Sequence, residues 1–241
     1  MWYFPLCMLD LKNQTLFVVA PHPDDEILGC GGLIKRIKSA GGKVHVLFMT
    51  VGETKEYSNK GGSNGKEREA EIERVAKKMK YDDYKIVFPG DTFHLRLDNV
   101  PQKEIISEIE AALNTIKPTI VAGPHPDDYN QDHRACAEAI FAATRPAPDE
   151  FKPFQGVVLG YESVTVANWA YSAARIPNFY VALDEKELEA KIDALKLYGT
   201  QVRDGAHPRS LQSLRNLAYF RGMHVGRKAA EAFTTYRFLV P

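Results

Sequence analysis

The sequence predicts an α/β fold: a Rossmann-like, doubly wound, mostly parallel sheet flanked by helices, with a less regular C-terminal extension. Three observations predict it. Short β-branched and aromatic runs alternate with stretches of helical apolar spacing. Two of those runs feed loops dense in Pro, His and Asp, at 21–26 and 124–133. The 241 residues, 44% hydrophobic and 26% charged, suffice to bury one large core without disulfides. A single domain is expected, with 13–145 as its α/β core and 146–241 as the extension.

Thr15 to Ala20 (TLFVVA) reads as a buried strand, stopped by Pro21-His22-Pro23, which cannot continue a ladder. Cys30 to Ala40 has helical spacing and ends at Gly41-Gly42. Val44 to Met49 is a second strand. Thr50 to Lys66 is a long Gly-, Ser- and Lys-rich loop, and such loops inside compact domains are commonly functional. Glu67 to Lys80 is helical. Lys85 to Phe88 is a third strand, followed by a loop through Asn99. Pro101 to Ile116 is a helix with Pro in its first turn. Thr119 to Ala122 is a fourth strand, Gly123 to Asp132 a loop, and His133 to Ala143 a helix. This alternation argues for parallel strands with helical crossovers. In the extension, 157–161 and 180–183 read as strands, and 185–198 and 210–226 as helices.

Charge and cysteine content narrow the function. Thirty-one Lys and Arg balance 31 Asp and Glu, which argues against a nucleic-acid partner and for a small-molecule substrate. Cys7, Cys30 and Cys136 form no CxxC pair, so a reducing, cytoplasmic setting and no structural zinc knuckle are expected. The apolar stretch Met1 to Leu9 lacks a basic leader and is too short to span a bilayer. It is expected to be an arm or edge segment, and it gives a hint of a homo-oligomer.

The chemistry concentrates in the two loops. Ligands of open α/β sheets bind at the carboxyl ends of strands, so residues some 110 positions apart can meet there. Imidazole with carboxylate suits zinc or another divalent first-row metal better than magnesium or calcium. A catalytic zinc takes three protein ligands and keeps one position open. His22, Asp25 and His133 can supply that set, and Asp24 flanks it as a general base. A lone His-Pro-Asp turn is more often a loop stop with a helix cap, but two such loops after two strands make a stronger pattern. Asp91 and Asp98, after the third strand, are candidates for binding sugar hydroxyls. Trp169, Tyr161 and Tyr171 are candidates for a stacking wall, with core packing as the alternative. Arg209 and Arg221 are candidates for an acidic substrate group. His94, His207 and His224 have no ligand spacing.

Pro21-His22-Pro23-Asp24-Asp25-Glu26, with Asp132-His133 closing the second loop, resembles the signature of the LmbE-like, or PIG-L-like, zinc-dependent N-deacetylases. Thr50-Val51-Gly52-Glu53, the Arg68–Glu71 pair, and tail segments such as Pro208-Arg209-Ser210 and Ala230-Glu231-Ala232-Phe233 extend the likeness. The resemblance implies zinc on His22, Asp25 and His133, and Asp24 as base. It implies Asp132 as an orienting group and Arg68 as a substrate contact. Asn130 stands where many relatives carry a His. It can donate to an oxyanion but cannot shuttle a proton, so His125 or Asp24 is expected to protonate the leaving amine. The expected activity is removal of an N-acetyl group from an amino sugar or its conjugate, releasing acetate. The alternatives are an amidase acting on a thiol-sugar conjugate and a non-catalytic metal or sugar binder.

Overall fold

The computed structural model describes residues 11–58, 61–148, 150–165, 169 and 176–239. The apolar arm at Met1 to Leu9, Cys7 and Tyr171 lie outside the described residues.

The chain runs β1 (Thr15–Ala20), α1 (Asp25–Ser39), β2 (Lys43–Val51), β3 (Thr54–Ser58), β4 (Gly61–Ser63), α2 (Gly65–Met79), β5 (Asp83–Pro89), α3 (Gln102–Ile116), β6 (Ile120–Pro124), α4 (Gln131–Ala143), β7 (Val157–Tyr161), β8 (Phe179–Leu183), α5 (Glu185–Leu197), α6 (Leu211–His224) and β9 (Ala229–Phe238). A short 3-10 turn, Leu97–Asn99, precedes α3. Seven strands form one sheet in the order β5-β2-β1-β6-β7-β9-β8. The five from β5 to β7 pair in parallel, and β9 runs antiparallel to both its neighbours. The strands β7, β8 and β9 thus complete the same sheet.

β1 is buried on both faces, and its side chains alternate between two cores. Leu16, Val18 and Ala20 join the core under α1, α2, α5 and α6, while Phe17 and Val19 join the core under α3 and α4. Such a central strand reads as a continuous apolar run, as TLFVVA does.

This winding places the site. From β1 the chain crosses through α1 to β2 on one side, and β6 pairs with β1 on the other. The loops after β1 and β6 therefore diverge from adjacent strand ends and leave a crevice between them, the switch point of a doubly wound sheet. α1 packs tightly beneath it, because a Cβ on Gly29 would lie 2.3 Å from the Tyr161 ring. Tyr161 is buried there, and its hydroxyl donates to the Val19 carbonyl at 3.1 Å, so it belongs to the core rather than to a stacking wall.

Four elements differ from the sequence expectation. α1 starts at Asp25 rather than Cys30, because the polar Asp-Glu start is buried against the site. The 50–66 loop carries the β3–β4 hairpin. The helix expected from His133 begins two residues earlier, capped by Asn130. β9 was not expected at all, and it fills the sheet between β7 and β8.

Candidate metal centre and its cleft

His22 lies in the turn after β1, Asp25 at the first position of α1, and His133 in the first turn of α4. All three are buried, and one ligand atom from each lies within 4.8 Å of the others. Asp25 Oδ2 sits 3.2 Å from His133 Nε2 and 3.4 Å from His22 Nδ1. Donors about 2.1 Å from a tetrahedral ion stand about 3.4 Å apart, so these spacings fit zinc or a similar ion.

The far nitrogen of each ring is held by a carboxylate. His22 Nε2 is 2.9 Å from Asp132 Oδ2, and His133 Nδ1 is 2.7 Å from Asp128 Oδ2. With an ion in place, protons on these far nitrogens would leave the lone pairs of His22 Nδ1 and His133 Nε2 to the ion beside Asp25, the arrangement that orients metal-binding histidines. Asp132 is itself fixed, since its Oδ1 accepts from Leu97 N at 2.9 Å. The backbone NH of His22 donates to Asp25 Oδ2 at 2.9 Å.

The electrostatics favour a cation. Burial opposes ionisation of Asp25, but the His133 and His22 rings outweigh it and hold the carboxyl well below the usual carboxylate range. Burial likewise opposes charging of His133, yet Asp25 and Asp128 push it up to about 10. A bound proton there occupies the kind of electronegative hole that a divalent ion fills.

Asp24, the residue before α1, has φ 111° and makes no side-chain cap. A left-handed aspartate is uncommon, and held conformations of this kind cluster at functional sites. Its buried Oδ2 makes no hydrogen bond among the described residues and lies 3.9 Å from Arg209 Nε. Burial, helped by the charge of Asp25, pushes its pKa up to about 6 against the pull of Arg209 and Arg68.

Asp24 opens onto a cleft of about 790 Å³, also lined by His22, Arg68, His94, Asn130 and Arg209. Arg68 Nη1 donates to the Gly52 carbonyl at 3.0 Å and to His94 Nε2 at 2.9 Å. His94 Nδ1 faces Thr50 Oγ1 at 3.2 Å, and its ring meets His22 edge-on at 5.3 Å. Burial, with His22 and Arg68 adding, lowers the His94 pKa to about 3, so the ring is neutral and accepts from Arg68. Asn130 Oδ1 accepts from Asp132 N at 2.9 Å as the cap of α4.

Other expected residues lie elsewhere. His125 is not among the cleft-lining residues: its Nδ1 accepts from Asp127 N at 3.1 Å, and its ring lies 6.4 Å from Tyr236. Asp98 is exposed on the 3-10 turn, where its Oδ1 accepts from Asn99 at 3.3 Å, and it does not line the cleft. Asp91 Oδ1 accepts from Glu53 N at 2.5 Å. Trp169 is exposed, and Arg221 is ion-paired with Glu162.

Sequence reasoning missed three residues. Asp128 is one of three aspartates in its loop, and spacing does not tell which meets His133. His94 lacks ligand spacing because it contacts a ligand rather than being one. Arg203 sits in a stretch with no element pattern.

A two-His, one-Asp donor set beside a cleft at the switch point of a doubly wound sheet defines the class: an α/β enzyme with a site able to hold a divalent ion. The family follows from comparison. The GlcNAc-PI de-N-acetylase (PIG-L) family model matches residues 17–144, and the chain belongs to this family. Its sequence is 27% identical over 192 residues to the uncharacterized deacetylase YaiS of Escherichia coli K12, covering 77% of this chain and 90% of that one. It is 25% identical over 228 residues to the diacetylchitobiose deacetylase of Thermococcus kodakarensis, covering 90% and 81%. Among solved structures, the conserved protein TT1542 of Thermus thermophilus superposes with a TM-score of 0.72 at 26% identity, over 95% of this chain and 97% of that one.

Proposed function

We propose that this protein is a zinc-dependent N-deacetylase that hydrolyses the acetamide of an amino sugar or its conjugate. The observation that carries the reading is the convergence of His22, Asp25 and His133 beside Asp24, whose Oδ2 makes no hydrogen bond among the described residues and which lines the cleft. Family membership supports the hydrolytic reaction, and the sugar-directed relative supports the substrate class. No helix among the described residues is long and apolar enough to cross a membrane.

His22 Nδ1, Asp25 Oδ2 and His133 Nε2 would hold the ion. When bound, the ion supplies Lewis-acid polarisation of the acyl carbonyl and lowers the pKa of a water. Asp24 takes the proton from the water as its oxygen adds to the acetyl carbon. Asn130, whose Oδ1 is committed to the α4 cap, turns its amide NH₂ to the oxyanion. Asp24 then delivers its proton to the amine nitrogen as the C–N bond breaks, leaving acetate and the free amine. This second duty falls to Asp24 because His125 does not line the cleft. Arg68, fixed by His94 and Gly52, orients the substrate from the α2 side.

The test is acetate release from a panel of N-acetylated amino sugars by zinc-loaded protein, with His133→Ala as control. Release by wild type alone supports the reading. A protein that binds one zinc per chain and releases acetate from no compound contradicts it, and would favour a non-catalytic binder.

A further inference from the structure

Four lysine and arginine side chains among the described residues are buried: Arg68, Lys191, Arg203 and Arg221. Two of them have a carboxylate partner. Lys191 Nζ lies 2.6 Å from Glu231 Oε1, and Arg221 Nε donates to Glu162 Oε2 at 2.7 Å. The other two make no ion pair among the described residues. Arg68 donates to Gly52 O and His94, its Nε is buried without a partner, and Arg203 Nη1 donates to the Thr200 and Val202 carbonyls at 3.1 Å each. Both of these line the cleft, as does Arg209.

Burying a cation without a counter-charge is costly, and folds retain such groups where something else supplies the charge. The only carboxylate among the cleft-lining residues is Asp24, against three guanidinium groups. Asp24 lies 3.9 Å from Arg209 Nε, and Asp25, set among the two histidines, acts on Arg209 and Arg68 only from further off, so the carboxylates at hand act chiefly on Arg209 and leave Arg203 with the least counter-charge.

The cleft wall that carries Arg203 and Arg209 is built to stay in place. Arg203 N donates to the Arg209 carbonyl at 3.3 Å, and Arg209 Nη1 reaches Gln201 Oε1 at 3.3 Å. The loop is anchored to α2, because Thr200 donates its backbone NH and its hydroxyl to Glu71 at 2.8 and 2.6 Å. Glu71 stands one helical turn from Arg68, so a single helix positions both sides of this region.

We propose that Arg203 and Arg209, with Arg68 on the α2 side, form a subsite for an anionic group, a carboxylate or a phosphate, carried by the substrate whose acetamide meets Asp24. The planar guanidinium fork suits both anions, and the neighbouring ion site fixes the acetamide end. The proposal rests on the deacetylase reading for the identity of the rest of the substrate, but the anion site itself does not. Burial lowers the pKa of Arg68 and of Arg203 against the pull of Asp24, whereas at Arg209 the pull of Asp24 and Asp25 outweighs burial.

The experiment compares kcat/KM for N-acetylglucosamine linked to a carboxylate-bearing aglycone, the methyl ester of that compound, N-acetylglucosamine 1-phosphate and the neutral methyl glycoside. At least one acidic compound is expected to exceed its neutral counterpart by about 100-fold or more, since a site built for a polar group rejects an analogue lacking it. The carboxylate and phosphate arms identify which anion is used. Arg203→Gln and Arg209→Gln are expected to shrink the acidic-to-neutral ratio at least about tenfold. Arg209, the more exposed of the two, serves where Arg203→Gln does not fold. Equal kcat/KM for acidic and neutral compounds, or an unchanged ratio in both variants, overturns the proposal. If no compound yields acetate, the deacetylase reading fails, and the melting temperature of zinc-loaded protein in malonate or inorganic phosphate decides the subsite alone. A rise in wild type that is lost in the variants supports it. Equal rises in all three, as from anion binding at the zinc, overturn it.

Discussion

His22 Nε2 and Asp132 Oδ2 stand 2.9 Å apart across 110 residues of sequence, and this contact joins the β1 loop to the start of α4. The carboxylate fixes which imidazole nitrogen carries the proton, leaving Nδ1 to face Asp25. Asp132 is anchored in turn by the Leu97 backbone NH, so the ring is held from the 3-10 turn as well. Asp128 Oδ2 faces His133 Nδ1 at 2.7 Å as an ion-pair contact from within the β6–α4 loop. Each candidate ligand ring thus has its own orienting carboxylate.

Asp132→Asn keeps an oxygen for Leu97 but weakens the hold on His22. Zinc affinity is expected to fall about 10- to 100-fold, with the fold retained. Competition titration against a chelating dye measures it, alongside circular dichroism. Wild-type affinity in the variant would show that His22 does not depend on Asp132.

Gly29→Ala tests how closely α1 sits on β7. The added methyl would lie 2.3 and 2.4 Å from two ring carbons of the fully buried Tyr161, whose hydroxyl is tied to Val19. Overpacking of this kind costs about 1–3 kcal/mol. A lowered melting temperature is expected, and an unchanged one would mean that the helix stands further off.

Asp82 gives a pH signature away from the site. Burial opposes its ionisation, but Lys38 Nζ at 2.6 Å and Val44 N at 2.7 Å outweigh it and lower its pKa. An acid with a depressed folded-state pKa contributes stability above its unfolded-state value, and that contribution is lost as pH falls through the folded value. Asp82→Asn is therefore expected to lower the melting temperature at pH 7, with the difference from wild type fading below about pH 4. Thermal melts across pH 3–8 check it, and a difference independent of pH would contradict the assignment.

The parallel core was legible in the sequence because its strands are uninterrupted apolar runs between helical spacings. β9 was not, because its buried half, Ala229 to Phe233, carries Glu231 at its centre. That carboxylate accepts from the backbone NH groups of Gly32 and Leu33 and from Lys191, so a charge stands where pattern reading expects an apolar side chain. The true start of α1 was hidden similarly. Its opening Asp25-Glu26 looks like solvated loop, yet Asp25 faces two histidines and Glu26 accepts from Tyr198 at 2.6 Å and Tyr81 at 3.1 Å. Burial, with Asp24 adding, pushes Glu26 up to about 8. In the site, the three candidate ligands were readable because two loops repeat one chemistry after two strands. Asp128, His94 and Arg203 were not, since each acquires its place from contacts that only the folded chain creates.

The most direct test of the account is acetate release by Asp24→Asn with zinc bound. Asparagine is nearly isosteric but cannot take up the proton, and loss of a general base typically costs about 100- to 10,000-fold. The variant is expected to bind one zinc per chain, as wild type is, with kcat on an N-acetylated amino sugar reduced by at least about 100-fold. Equal turnover by the two proteins at full zinc occupancy would contradict it and remove Asp24 from the reaction.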